Sequence, residues 1–237
     1  MKNIIAIIPA RSGSKNPPNK NIQLFMGKPL LCWSIIHAKK SKLINRCIVS
    51  TDSQKYAEIA RKCGAETPFL RPEEFAQDFS TDLDVFEHAL KWLKDNEGYI
   101  PDLVVHLRPT SPIRDPKMID KAISEMINHP EADSLRSVIL AEQTPFKMWK
   151  RRGDYLVPLL KLEDVKEPYN SPRQILPKVF WQNACIDIVR PATIFKKHSM
   201  TGDKILGFIM DKKYSIDIDS KEDINQLKNK YEVNAEH

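Results

Sequence analysis

Ile4-Ile5-Ala6-Ile7-Ile8 runs directly into Pro9-Ala10-Arg11-Ser12-Gly13-Ser14-Lys15, with Lys20-Asn21 and Gly27-Lys28-Pro29-Leu30 just beyond. The apolar run reads as a strand buried on both faces, the kind found inside parallel sheets. The segment after it is small, polar and cationic, and Pro29 sits where a helix can begin. Open α/β sheets bind ligands at the carboxyl ends of their strands, so this loop stands where a ligand would. Phosphate oxygens need backbone N–H groups, hydroxyls and cations in one concavity, and Arg11, Ser12, Ser14, Lys15 and Lys20 offer them. Neither G-x-x-x-x-G-K-[ST] nor G-x-G-x-x-G is present. The competing reading is a surface loop whose cations are merely solvated. Direct delivery by the first buried strand favours phosphate binding.

Outward from this loop, strand and helix signals alternate. Pro29 to Lys40 reads as a helix and Cys47 to Ser50 as a short strand. Asp52 or Ser53 is placed to cap a helix running through Cys63, with Tyr56, Ile59 and Ala60 inward and Gly64 as its stop. Ser80 or Thr81 is placed to cap the next, whose apolar stripe is Leu83, Phe86, Leu90 and Leu93. Leu103 to Leu107 reads as another buried strand, and Asp115-Pro116 opens a helix lined by Ile119, Ala122, Ile123 and Met126. This order predicts an α/β fold with a mostly parallel sheet covered on both faces. Val138 to Leu160 predicts strands and turns. Phe180 to Val189 and Ile205 to Met210 predict strands, and Glu222 to Tyr231 a closing helix. Residues 1–237 are expected to form one domain. Within it, 155–190 is the expected arm, because Lys161 to Lys178 is rich in proline and charge.

The composition narrows the class. Of 237 residues, 41% are hydrophobic, enough for a sizeable core. No run approaches the roughly 18–20 apolar residues of a membrane span, and the apolar run before Pro9 is too short for a secretory leader. A cytoplasmic protein without a membrane partner is expected. The net charge of +6 suits an anionic ligand. Its lysines are dispersed, which argues against a nucleic-acid stripe. The four cysteines, Cys32, Cys47, Cys63 and Cys185, form no C-x-x-C pair and are expected to be reduced and buried.

Further along, Ser215-Ile216-Asp217-Ile218-Asp219-Ser220 puts two carboxylates at i and i+2, on one face of a strand. Adjacent carboxylates repel unless a cation lies between them, so Mg²⁺ is a natural partner. An edge strand with a wet acidic face is an equal reading. Arg71-Pro72 with Asp78, Ser80 and Thr81, and Arg108-Pro109-Thr110-Ser111-Pro112-Ile113-Arg114, place polar groups at strand ends. Asp78 and Ser80 could instead cap, and Arg114 could simply cover surface. His106, in a strand, reads as a satisfied core residue.

Taken together, these stretches resemble the acylneuraminate cytidylyltransferases, which make CMP-sialic acid and related activated sugars. The resemblance rests on Ile7 to Lys15 with Lys20-Asn21-Ile22, Gly27 to Leu30, Val49-Ser50-Thr51-Asp52, and Arg71-Pro72 with Phe75-Ala76 and Asp78. It continues through Pro109-Thr110-Ser111-Pro112 with Arg114, Arg173-Gln174, Asn183 and Asp217-Ile218-Asp219. It implies a three-layer Rossmann-like nucleotidyltransferase, a homodimer whose arm reaches the neighbouring site. The implied reaction joins CTP to a nonulosonic 2-keto sugar acid, with Mg²⁺ as cofactor. Ala10, Arg11, Ser12, Gly13, Ser14, Lys15, Asn21, Arg71 and Ser80 would bind nucleotide. Lys20 would neutralise the phosphates, and Asp217 and Asp219 would hold the metal. Arg108, Thr110, Ser111, Lys147, Arg173, Gln174 and Asn183 would bind the sugar. The chain departs from the family pattern at Arg108, where glutamine is usual, and at Ala184, where glycine follows the asparagine. Alternatives are a nucleotidyltransferase of the same fold acting on a 3-deoxy-octulosonate or a sugar 1-phosphate, and a non-catalytic nucleotide or nucleic-acid binder.

Overall fold

The first strand, β1 (Ile4–Pro9), is buried because strands pair with both its edges and helices cover both faces of the sheet. The computed structural model describes residues 2–15, 17–216, 218 and 220–232. After β1 come the short β2 (Leu24–Phe25) and β3 (Lys28–Pro29), α1 (Leu30–Lys40), β4 (Arg46–Ser50), α2 (Gln54–Lys62), α3 (Asp82–Glu97), β5 (Leu103–His106) and α4 (Pro116–Asn128). The second half holds β6 (Ser134–Leu140), β7 (Trp149–Arg152), β8 (Tyr155–Pro158), β9 (Phe180–Val189), α5 (Pro191–Lys197), β10 (Ile205–Ile209) and α6 (Lys221–Glu232). The main sheet has the order β10-β6-β9-β5-β1-β4. β1 runs parallel to β4 and β5, and β10 parallel to β6, whereas β9 is antiparallel to both its neighbours.

Alternation along β1 divides the core into two layers. Ile4, Ala6 and Ile8 pack with Leu31 and Ile35 of α1, Tyr56 of α2, and Ile119 and Ile123 of α4. Ile5 and Ile7 face the other way, onto Phe86, Leu90 and Leu93 of α3 and Ile194 of α5. Local chemistry sets the helix starts. The Ser53 side chain accepts from the Tyr56 amide, Thr81 and Asp84 form a capping box, and Asp115 caps the helix that Pro116 opens.

Three features differ from the sequence expectations. Cys32 and Cys63 are not reduced thiols but a disulfide, with Cα atoms 5.6 Å apart. Cys32 lies in α1 and Cys63 caps the end of α2, two helices over the same sheet face, a proximity that their separation in sequence does not reveal. Cys47 and Cys185 are buried and form no disulfide. Among the described residues of the expected strand at 215–220, none is in a strand. Ile218 instead fills a small cluster with Phe25, Leu30 and Ile224, and its amide donates to the Thr110 carbonyl at 2.8 Å. His106 is a core residue, yet neither of its ring nitrogens makes a hydrogen bond among the described residues, and Asp82 Oδ2 lies 3.8 Å from Nδ1.

One buried side chain ties the carboxyl ends of the strands together. Arg114 is 5% exposed and has no carboxylate partner among the described residues. Its Nε donates to the Cys185 carbonyl of β9 (2.6 Å), Nη1 to Ser34 Oγ of α1 (2.9 Å) and Nη2 to the Arg108 carbonyl (2.5 Å). Ser34 Oγ donates to the same Arg108 carbonyl at 3.0 Å. Beside this knot, β9 shifts register against β6 between Arg136 and Val138, and Ala184 takes a left-handed φ of 53°. Ser137 Oγ bridges the irregularity, donating to Asn183 Oδ1 (2.6 Å) and accepting from the Ile186 amide (2.8 Å).

Replacing Arg114 with Met should leave its three acceptors without that donor and cost about 3 kcal/mol or more. Thermal unfolding should then fall by on the order of 10 °C. A second outcome concerns pH. Burial, aided by Arg114 and Lys40, pushes His37 down from 6.5 to about 3, and burial holds His106 well below 6.5. Both are neutral when folded and take up a proton when unfolded below their ordinary pKa. Their contribution is therefore present above pH 6.5 and is lost as pH falls below it, by up to about 1.4 kcal/mol per pH unit for each. The Tm should decline between pH 6.5 and 4.5, and His37→Gln should make that decline shallower.

Candidate active site

The loop after β1 is fixed by bonds that leave its cations directed outward. Ala10 is buried, and its amide donates to the Ser50 carbonyl at 2.9 Å. Ser12 is held by Asp52, which accepts from its amide (2.8 Å) and its hydroxyl (2.6 Å). Ser14 Oγ accepts from the Lys20 amide at 2.9 Å, and Asn21 Nδ2 donates to the Arg11 carbonyl at 3.0 Å. A side chain at Gly13 would meet nothing within 4 Å, so the loop is open on that side.

Two cavities adjoin along Arg11, Asn21 and Thr110. The first is cationic. Arg11, Lys15 and Lys20 line it with Ser14, and Asp78 bridges two of these cations. Asp78 Oδ1 accepts from Arg11 Nη1 at 3.0 Å, and Oδ2 pairs with Lys15 Nζ. The Lys15 hydrogen bond, reinforced by Arg11, holds the Asp78 carboxyl below the usual carboxylate range. The second cavity holds Arg71, Phe75, Ser80, Thr81, His106 and Arg108. Arg71 is 5% exposed, and its Nε and Nη2 have no partner. Burial lowers its pKa, and nearby Asp52 opposes that. Buried donors without acceptors are costly unless a ligand supplies the acceptors.

Arg108 stands in this second cavity within a ring of charges. Its Nη1 donates to Asp187 Oδ2 of β9 (2.6 Å) and its Nη2 to Asp82 Oδ2 at the start of α3 (2.9 Å). Arg136 Nη1 reaches the same Asp187 oxygen at 2.8 Å. Burial works against the charge on Arg108, but Asp187 and Asp82 outweigh it and raise its pKa. The departure from glutamine therefore does not add a free cation. It adds one that two carboxylates neutralise. His106, across from Asp187 in the β5–β9 register, packs on the Phe86 ring at 4.7 Å.

The structure gathers Arg11, Ser14, Lys15, Lys20, Asn21, Arg71, Ser80, Arg108 and Thr110 around these two cavities. It does not gather every expected residue. Ser111 and Asn183 are buried, and Asn183 is engaged by Ser137 and the Cys185 amide. Lys147 sits in the exposed 3-10 turn Pro145–Lys147. Arg173 and Gln174 line a separate cavity with Thr144 and Lys178. Asp217 and Asp219 lie outside the described residues. Among the described residues, no group of three or more His, Cys, Asp or Glu is placed to hold a metal. Asp52, Asp82, Arg136 and Asp187 were not singled out for the site from sequence. Asp187 had a signal, an acid inside the apolar run Cys185-Ile186-Asp187-Ile188-Val189, where a charge needs a partner.

The chain matches a family model described as cytidylyltransferase over residues 5–172. It is 34% identical to the N-acylneuraminate cytidylyltransferase of Escherichia coli over 237 residues, covering 97% of this chain and 54% of that protein. It is 30% identical to the pseudaminic acid cytidylyltransferase of Campylobacter jejuni over 243 residues, covering 100% of this chain and 99% of that one. In fold it is similar to the solved CMP:2-keto-3-deoxy-manno-octonic acid synthetase in complex with CTP. That match has a TM-score of 0.70 at 12% identity and covers 98% of this chain and 99% of the other. An open, mostly parallel sheet, a cationic loop at the end of its first strand and relatives at this identity agree: the chain belongs to the acylneuraminate-type cytidylyltransferases.

Proposed function

We propose that this protein transfers the cytidylyl group of CTP to a nonulosonic 2-keto sugar acid, giving the CMP-sugar and pyrophosphate. The observation that carries this reading is a cationic cavity joined to one in which two buried donors of Arg71 lack acceptors. A polyanion beside a base with neighbouring acceptors has that shape. Cytosine offers O2 and N3 side by side, whereas N3 of uracil carries a proton. Arg11, Ser14 and Lys15 hold the triphosphate and Lys20 helps neutralise it. Ala10, Ser12 and Gly13 shape the loop, while Asn21, Arg71 and Ser80 position the nucleoside. The anomeric hydroxyl attacks the α-phosphorus, its proton passes to solvent, and the bond to the pyrophosphate oxygen breaks in line. Such chemistry depends on positioning and charge neutralisation.

The relatives' names support an acidic sugar as acceptor. Arg108 and Thr110 form its near wall, with Ser111 and Asn183 behind them. Asp217 and Asp219 are the proposed Mg²⁺ ligands. Support comes from Ile218 between them, which is buried with its amide on the carbonyl of Thr110, a residue of both cavities. When bound, the metal stabilises charge on the α-phosphate and leaving group. We place residues 1–237 in one domain with 155–190 as its arm, and the protein in the cytoplasm as a homodimer. Trp149, Tyr155, Leu156, Ile175, Phe180 and Trp181 are exposed, an apolar area suited to a second copy. Lys147, Arg173 and Gln174 would then complete the neighbouring site.

Pyrophosphate release should require CTP, Mg²⁺ and a nonulosonic acid. Release only with GTP and a sugar 1-phosphate would overturn the assignment. Arg71→Met should raise KM for CTP about tenfold or more without lowering Tm, because its Nε and Nη2 bond to none of the described residues. Asp217→Asn should lower kcat by roughly a hundredfold or more while the protein stays folded.

A further inference from the structure

The cationic cavity carries its own anion. Asp78 spans Arg11 and Lys15, the two side chains assigned to the triphosphate. It belongs to a turn that is closed on itself. The Gln77 amide donates to Ser80 Oγ (2.9 Å), the Ser80 amide to the Gln77 carbonyl (3.1 Å) and Ser80 Oγ to the Glu74 carbonyl (3.2 Å). Phe75 seats one end of this turn against His88, with ring centroids 5.4 Å apart, and the Thr81–Asp84 capping box begins the rigid helix at the other. Between these anchors Asp78 joins the turn to the β1 loop, and the neighbouring Phe79 is 96% exposed.

Without an anion between them, the neighbouring cations Arg11 and Lys15 repel each other. A carboxylate that bridges them removes much of that repulsion and keeps them pointed into the cavity. A triphosphate placed there meets the same donors already in use, with a negative group beside them. Arg11 and Lys15 have donors enough for two anions, as Arg108 does, but the carboxylate and the phosphates repel each other, so binding of the triphosphate favours release of Asp78.

Building on the reading of this cavity as a triphosphate cradle, we propose that Asp78 is an exchangeable internal counter-anion that sets the cradle's affinity for polyphosphate. The β- and γ-phosphates displace it from Arg11 and Lys15, and its return helps pyrophosphate leave. Asp78 is thus a positioning residue. It acts through the two cations and weakens binding of any ligand that must displace it. A nucleoside monophosphate, which lacks the β- and γ-phosphates, does not bear this cost.

The test is calorimetric binding to the full chain of inorganic tripolyphosphate, pyrophosphate, CTP and CMP. Asp78→Asn should bind the first three roughly 3- to 30-fold more tightly, and CMP within about twofold of wild type. Glu74→Gln makes the same change in net charge on the same turn. It should leave all four affinities unchanged. A second readout follows the turn itself. Phe79→Cys carrying an environment-sensitive dye is labelled selectively, since Cys47 and Cys185 are buried and the other cysteines are paired. Its emission should shift when pyrophosphate is added, and the shift should vanish when Asp78→Asn is combined with it. Weaker or unchanged polyphosphate binding in Asp78→Asn, equal tightening in Glu74→Gln, or a dye that does not respond would each overturn the inference. If wild type binds CTP and these shifts are missing, the cradle stands and the exchange fails. If wild type binds neither CTP nor polyphosphate, both fail.

Discussion

A single buried guanidinium holds the site's scaffold in register. Arg114 lies where α1, the loop leaving β5 and the irregular middle of β9 converge, and its donors satisfy one acceptor on each. A buried charge without a carboxylate is tolerable only when its N–H groups are well spent. Here they fix the Arg108 backbone, and with it the stretch from Arg108 to Thr110 that walls both cavities. The irregularity in β9 belongs to the same arrangement. It turns the Cys185 carbonyl toward Arg114 and accepts a left-handed Ala184, a conformation that costs about 1 kcal/mol or more for a residue with a Cβ.

On this scaffold, the site is held by paired charges. Asp52 secures the β1 loop, Asp78 bridges its cations, and Asp82 and Asp187 neutralise Arg108. Arg71 is the contrast, a buried arginine that lines a cavity while two of its donors bond to none of the described residues. The difference has a physical reading. Groups that keep their partners shape the walls, whereas a group without them is completed by what binds. By that criterion Arg108 presents a charge-balanced set of donors and acceptors to its cavity rather than net positive charge.

Much of this was legible in the chain. The run Ile4–Ile8 has no polar position, so it had to be buried on both faces. The capping residues Ser53, Thr81 and Asp115 gave helix starts within one residue, because capping is a local interaction between a side chain and the next turn. The cationic loop was legible for the same reason, since strand, loop and helix follow one another directly. The acids and the disulfide were not. Asp82 and Asp187 meet at Arg108 from α3 and β9, and Cys32 meets Cys63 across two helices. No periodicity encodes such meetings.

By itself, then, the sequence determined a mostly parallel sheet, its two covering layers and the cationic loop at the end of the first strand. These follow from short-range patterns of burial, capping and charge. Tertiary structure alone decided that Arg114 is a buried tie, that Arg108 is neutralised, that two donors of Arg71 bond to none of the described residues, and that Asp78 bridges cations of the β1-loop cavity. Each depends on which distant segment arrives beside a given side chain. In a low-dielectric site, that neighbour decides whether a charge serves as a wall, a receptor or a placeholder.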